Sequence, residues 1–184
     1  MSGKTRLFIL MGLLCALFIA PASSFAGKSS VLKEAKGKEY FLAVNVWAEK
    51  PDEILTTNFH KGQILAVNTP VKIVNANNKS ISFTDENNIS YTILIARKHT
   101  PVSAEEVFNR YFSASKVDLI WFSGDERKNI ETGSIAVGMS KAAVLVAYGY
   151  PPDHMTPSRE SNQWKYWKNR FKDFFVFFNK DGIV

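Results

Sequence analysis

Between residues 40 and 96 apolar side chains return at every second position, which commits this part of the chain to short β-strands. Tyr40, Leu42, Val44 and Val46 alternate with Phe41, Ala43, Asn45 and Trp47, the pattern of a half-buried strand. After a break at Pro51, residues 64–67 read as a short strand, and 71–75, 80–84 and 89–96 as three cleaner ones. Asn77-Asn78 and Asp85-Glu86-Asn87-Asn88 supply the turns, because Asn and Asp tolerate left-handed backbone. About five short strands in so little chain predict a small antiparallel β barrel or a curled sheet.

The period then changes. Ser103 and Glu106 stand in capping-box positions, and Val107, Phe108, Tyr111 and Phe112 form one apolar stripe of a helix over the barrel's end. Residues 113–122 give no clear period and read as a connector. Residues 125–130 read as a short helix closed by Gly133, and 141–148 as a second one. Ser140 caps the second helix, Gly149 stops it, and its interior is apolar all round, which predicts deep burial. Two strand-like runs, 164–168 and 174–178, a turn at 179–182 and the pair Ile183-Val184 complete the order helix, helix, strand, strand, short strand. The expected class is α+β, with 39–112 as a small β barrel plus capping helix, 113–122 as connector and 123–184 as a second unit.

The first residues point to export. Lys4 and Arg6 precede an apolar run over 7–20, and Ser24-Phe25-Ala26 sets small residues at the positions a signal-cleavage site needs. That run is shorter than the roughly 20 residues of a membrane-crossing helix. Residues 1–26 are therefore expected to be a signal peptide, with no transmembrane anchor after cleavage, and the lysine-rich stretch 27–38 a flexible leader. The single cysteine, Cys15, lies inside the apolar run. Cleavage would leave neither disulfide, thiol nucleophile nor cysteine metal site, so packing would have to hold the fold. Of the net charge of +6, Lys4 and Arg6 carry two; the modest remaining excess and an exported location argue against nucleic acid as partner. Gly27-Lys28-Ser29 imitates the end of a phosphate-binding loop, but the required first glycine is Ala22.

Residues 130–184 resemble the BamE family, also called SmpA/OmlA, of outer-membrane protein assembly factors. The matching residues are the run from Gly133 through Gly138-Met139-Ser140-Lys141, then Val144, Tyr148-Gly149 and Pro151, Trp164 and Tyr166, and the phenylalanine-rich strand followed by Asp181-Gly182-Ile183-Val184. The resemblance implies two helices on a three-strand antiparallel layer, and a setting in the machinery that inserts β-barrel proteins into the outer membrane. This chain lacks the family's lipid-attachment cysteine and has a β-rich unit in front. Residues 40–98 are more distantly similar, in strand count and length, to the Src homology 3-like barrels of bacterial envelope proteins.

Candidate functional residues are few. His60, His99 and His154 have no metal-ligand spacing and read as solvated or turn histidines, and no nucleophile elbow or placed carboxylate pair occurs. From Trp164 to Lys172 aromatic and basic residues interleave. Such a segment can stack on a ligand or serve as an edge strand with Trp164 and Tyr166 inward and lysines outward. Trp167 falls on the polar face, so Trp167 and Arg170 are the expected exposed contacts. Tyr150, Pro151 and Pro152 make either a stiff recognition loop or only a helix stop. The expectation is a non-enzymatic, cofactor-free scaffold or adaptor of the bacterial cell envelope, periplasmic or outer-membrane associated, partnered by an envelope protein complex. The alternatives are a peptidoglycan-binding module and, more weakly, a hydrolase whose site is assembled from distant residues.

Overall fold

The computed structural model describes residues 30–57, 59–156 and 158–184, so the expected signal peptide lies outside the described residues. The architecture is mixed α+β around two apolar cores. The chain opens with helix α1 (Ser30–Ala35) and passes through strands β1 (Glu39–Leu42), β2 (Val46–Ala48), β3 (Ile54–Leu55), β4 (Gln63–Leu65), β5 (Pro70–Ala76), β6 (Ser80–Asp85) and β7 (Ser90–Leu94). Helix α2 (Ala104–Tyr111) and strand β8 (Phe112–Ser113) close the first half. A 3₁₀ turn at Leu119–Trp121 leads to α3 (Gly124–Thr132), α4 (Lys141–Tyr148) and a hairpin of β9 (Gln163–Asn169) and β10 (Lys172–Phe177).

Six strands form a curled half-barrel in the order β3-β7-β6-β5-β1-β8, open rather than closed, with β3 parallel to β7 and the other pairs antiparallel. The turns are the ones the asparagines foretell. Asp85 Oδ1 accepts from the amides of Asn87 and Ile89 (3.0 and 2.8 Å), and Asn88 takes φ 60°. Alternation buries Val71, Ile73, Ile81, Phe83, Tyr91 and Ile93 on the concave face, under Val107, Phe108 and Tyr111 of α2. Ser103 caps α2 by accepting from the Glu106 amide (3.0 Å), but the Glu106 carboxylate turns to Arg110 (3.1 Å) instead of completing the box.

Two expectations for this half are corrected. The stretch expected as a flexible leader is helical from Ser30; Ala35 is fully buried, and Val31 and Leu32 pack on the core, because one face of this turn is apolar despite its lysines. The alternating run 40–47 is not one strand. It leaves the large sheet after Leu42, and β2 pairs with β4 in a separate two-stranded sheet.

In the second half α3 and α4 pack beside the β9–β10 hairpin around Ile130, Met139, Val144, Ala147, Trp164 and Tyr166. Gly133 closes α3 in the left-handed region (φ 61°), and Ser140 caps α4 by accepting from the Ala143 amide (3.2 Å). Ala142 stays exposed, so α4 is buried on most sides and not all. The third strand of the expected layer is not formed: Ile183 makes a single bridge to Ser140. Nor is 113–122 only a connector, since Ser113 pairs with Phe41 at the edge of the large sheet.

Asn45, 1% exposed, explains why the chain turns out of the first sheet. Its backbone amide donates to the Val146 carbonyl (2.9 Å), and its side-chain amide to the carbonyls of Ala147 (3.0 Å) and Ile130 (2.6 Å). These carbonyls belong to the last turns of α4 and α3, where helices run out of internal donors. Asn45 Oδ1 accepts from the Val67 amide (2.8 Å), so one side chain ties the β-rich half to both helix ends. Trp47 and Val67 accordingly pack on the second core, and Tyr150 on the first.

Candidate partner-binding cleft

Where β2, β3 and the loop before β4 face the tip of the β9–β10 hairpin, they leave a cleft of about 550 Å³. Its walls are apolar: Trp47, Ile54, Leu55 and Phe59 on one side and Phe171 on the other. The hairpin tip is fixed by Asn169, whose Oδ1 accepts from the amides of Phe171 (2.9 Å) and Lys172 (3.0 Å). That Asx turn holds Arg170 and Phe171 outward, and Phe171 is 92% exposed. On the rim, Lys50 pairs with Glu53 (3.1 Å) and Lys61 pairs with Glu49. Arg170 has no carboxylate within ion-pair reach among the described residues, and its guanidinium stands 5.9 Å from the Phe171 ring centre. The cleft thus offers flat apolar walls, acids that already have partners, and one uncompensated cation.

The hairpin has two unlike faces. Trp164 and Tyr166 are fully buried, with Val176 beside them in the second core. Lys165, Trp167, Phe175 and Phe177 alternate onto the opposite face, where Phe175 is 45% and Phe177 62% exposed. Lys165 forms an ion pair with Asp173, and its ammonium lies 4.8 Å from the Trp167 ring and 5.3 Å from that of Phe175. Trp167 is half-buried, because the His154 ring stacks on it at 5.6 Å. Burial, together with His99 at 4.5 Å, lowers the His154 pKa.

His60 is not the solvated histidine its loop suggests. Its ring stacks on Tyr148 (3.4 Å between centres) with Trp47 and Tyr166 edge-on around it. Nε2 lies 2.7 Å from the Tyr148 carbonyl and Nδ1 2.9 Å from that of Trp167. A neutral imidazole can donate to only one of them. Burial nevertheless prevails over the two carbonyls and pushes the pKa down to about 4. His60 therefore serves as an interior joint between α4 and the hairpin.

The five residues expected at a partner surface separate into two groups. Trp167 and Arg170 lie on one hairpin, Arg170 at the cleft and Trp167 on the adjoining outer face. Pro151 and Pro152 are buried, the Pro152 carbonyl accepting from the amides of Met155 and Thr156 (3.1 Å each). Tyr150 is half-buried between the guanidinium groups of Arg110 (5.0 Å) and Arg159 (5.5 Å). Of the two readings of this loop, a helix stop fits the buried prolines, and an exposed recognition loop does not. Sequence reasoning missed Trp47, Phe59, Phe171, Phe175 and Phe177. The outer pair had a visible signal, since Phe175 and Phe177 interleave with Phe174, Val176 and Phe178 at strand period. Nothing local marks Trp47 and Phe59, which meet Phe171 only through the fold. Among the described residues no three His, Cys, Asp or Glu side chains are placed to hold a metal, and no helix is long and apolar enough to cross a membrane. Comparison of the chain with protein-family models, with curated proteins and with solved structures finds no match.

Proposed function

We propose that this chain is an exported scaffold or adaptor of the bacterial cell envelope that acts by protein–protein binding, with the cleft at the hairpin tip as its contact. The observation that carries the reading is Phe171, almost fully exposed on a fixed turn, beside an arginine without an ion-pair partner among the described residues and facing an apolar cleft. An aromatic and an arginine at a concave apolar site are the side chains that dominate binding energy at protein interfaces. The resemblance of residues 130–184, which carry helix α4 and a phenylalanine-rich hairpin, is what links the reading to assembly factors of the BamE type.

The test is a photo-crosslinking residue in place of Phe171, introduced into cells that make the full chain, with one at Asn87 on the far turn as control. Capture of outer-membrane assembly components from position 171 and not from 87 is the expected result. Equal yields from both positions refute the cleft as a contact. A wall-binding role is the second reading, favoured by the aromatic faces of Trp47, Phe59 and Phe171 around one cleft, which suit a sugar ring. It requires co-sedimentation with purified peptidoglycan that Phe171→Ala weakens, and sedimentation independent of peptidoglycan removes it.

A further inference from the structure

The β9–β10 sheet has two outer edges, and the described residues close only one of them. On β9 the Gln163 amide donates to Ser161 Oγ (3.3 Å), whose hydroxyl donates to the Gln163 carbonyl (3.1 Å). The Lys165 amide donates to Thr156 Oγ1 (3.0 Å), and the Trp167 carbonyl lies 2.9 Å from His60 Nδ1 and accepts from the His60 amide at 3.4 Å. Residues 163, 165 and 167 thus turn their backbone groups away from β10. In an antiparallel ladder, directly opposed residues share that orientation. Their partners Phe177, Phe175 and Asp173 must therefore turn theirs away from β9. The N–H and C=O groups of these three residues have no hydrogen-bond partner among the described residues. Beside them stand the exposed rings of Phe175 and Phe177.

The charge at the tip end of this edge is one-sided. Lys168, Arg170 and Lys172 have no ion-pair partner among the described residues, while the one acid on the strand, Asp173, is taken by Lys165. We propose that the outer edge of β10 takes up an extended, acidic and apolar segment of a partner protein as a third strand. Its backbone would pair with Asp173, Phe175 and Phe177, its apolar residues would cover the two phenylalanines, and its acids would meet Arg170 and Lys172. This rests on the protein-binding reading above and names the chemistry of the bound segment. A second copy of the chain would bring the same cations and the same occupied Asp173, leaving the charge unanswered.

The probe is a short synthetic peptide alternating glutamate and valine, titrated into the isotope-labelled chain and followed by the amide resonances of Asp173, Phe175 and Phe177. Shifts and slowed hydrogen exchange at those three amides are expected. Binding should weaken about tenfold or more when lysine replaces glutamate or when alternate peptide amides are N-methylated, the latter change sparing every side chain. Phe175→Pro removes one outward amide and no bond to β9, so it should abolish the effect while Trp164 and Tyr166 keep their resonances. Should that variant misfold, the double change Arg170→Glu and Lys172→Glu must weaken the glutamate peptide and favour the lysine one. Undiminished binding of the N-methylated peptide overturns the proposal. So does protection of the three amides in the free chain that grows with its concentration, because a second copy would then hold the edge. If crosslinking from position 171 in cells survives Phe175→Pro while the peptide fails to bind, strand addition falls and the adaptor reading stands.

Discussion

Glu126 shows how one side chain can start two helices. Its Oε2 accepts from the Ser123 amide (2.9 Å), completing a capping box at α3, while Oε1 accepts from the Ser140 amide and hydroxyl (2.9 and 2.7 Å) at the start of α4. Burial alone would raise its pKa, but these hydrogen bonds outweigh burial and lower it. Glu126→Ala should therefore cost about 1–2 kcal/mol in urea denaturation at neutral pH. Because the folded pKa is depressed, the ionised carboxylate's contribution is present above the ordinary carboxylate range and fades as pH falls through it. The wild-type and Glu126→Gln curves should then converge in acid. A constant gap between them would show that charge has no part in the cap. For His60 the pH window reaches higher, up to the ordinary histidine value of 6.5. Its folded pKa of about 4 lies below the ordinary value of 6.5, so between the two the unfolded chain binds the extra proton. Stability is whole above 6.5, declines as pH falls from there, and levels off near 4, a loss of about 3 kcal/mol. Measured against His60→Gln at each pH, the wild type should show this additional decline, and parallel profiles would mean that burial does not dominate the site.

At the level of elements, the parts whose ends are written locally were legible in the sequence. Helix α4 occupies the expected residues 141–148 because Ser140 caps it and Gly149 ends it, and β5, β6 and β7 follow their alternation and Asn/Asp turns. What failed depended on bonds across the chain. Period two runs unbroken through Asn45, so no local signal separates β1 from β2; the split comes from carbonyls of α3 and α4, which lie about a hundred residues away. The burial of His60 has the same origin, since Tyr148 and Trp167 close over a loop that looks polar by itself. Of the cleft's residues the sequence singled out Arg170 alone; Phe171 beside it and the opposite wall were not marked by any local signal. Asn45→Ala removes three side-chain hydrogen bonds and leaves two buried helix-end carbonyls without their donor, which should cost about 2–4 kcal/mol. Asn45→Asp should be no milder, because a carboxylate would face those carbonyls without a proton to offer. Chemical denaturation of both variants decides this, and a loss below 1 kcal/mol for either would mean that water replaces the side chain (about the size of one surface hydrogen bond).

The whole molecule holds two cores, and the joints between them set how it should unfold. Asn45 and His60 tie the strand-rich half to the ends of α4 and α3 and to β9. Gly133 fits against Ile64 and Trp47 so closely that an added methyl would stand 2.7 and 2.9 Å from their side chains. Neither half presents a polar, finished surface to the other, so separation would expose Trp47 and Val67 and strand the bonds of Asn45. The chain should therefore unfold in one cooperative step. The four tryptophans make the check direct: Trp47, Trp164 and Trp167 report on the second core and its hairpin, Trp121 is already exposed, and the first core contains none. Tryptophan fluorescence follows one half, while far-ultraviolet circular dichroism sums over both, through helices α1 to α4 and the strands. In the wild type the two urea transitions should coincide. In Asn45→Ala they should draw apart, with fluorescence changing first, because the smaller core loses the amide that closes both its helices. Separate transitions in the wild type would mean that the cores fold independently, and the cleft between strands and hairpin would then open without unfolding either.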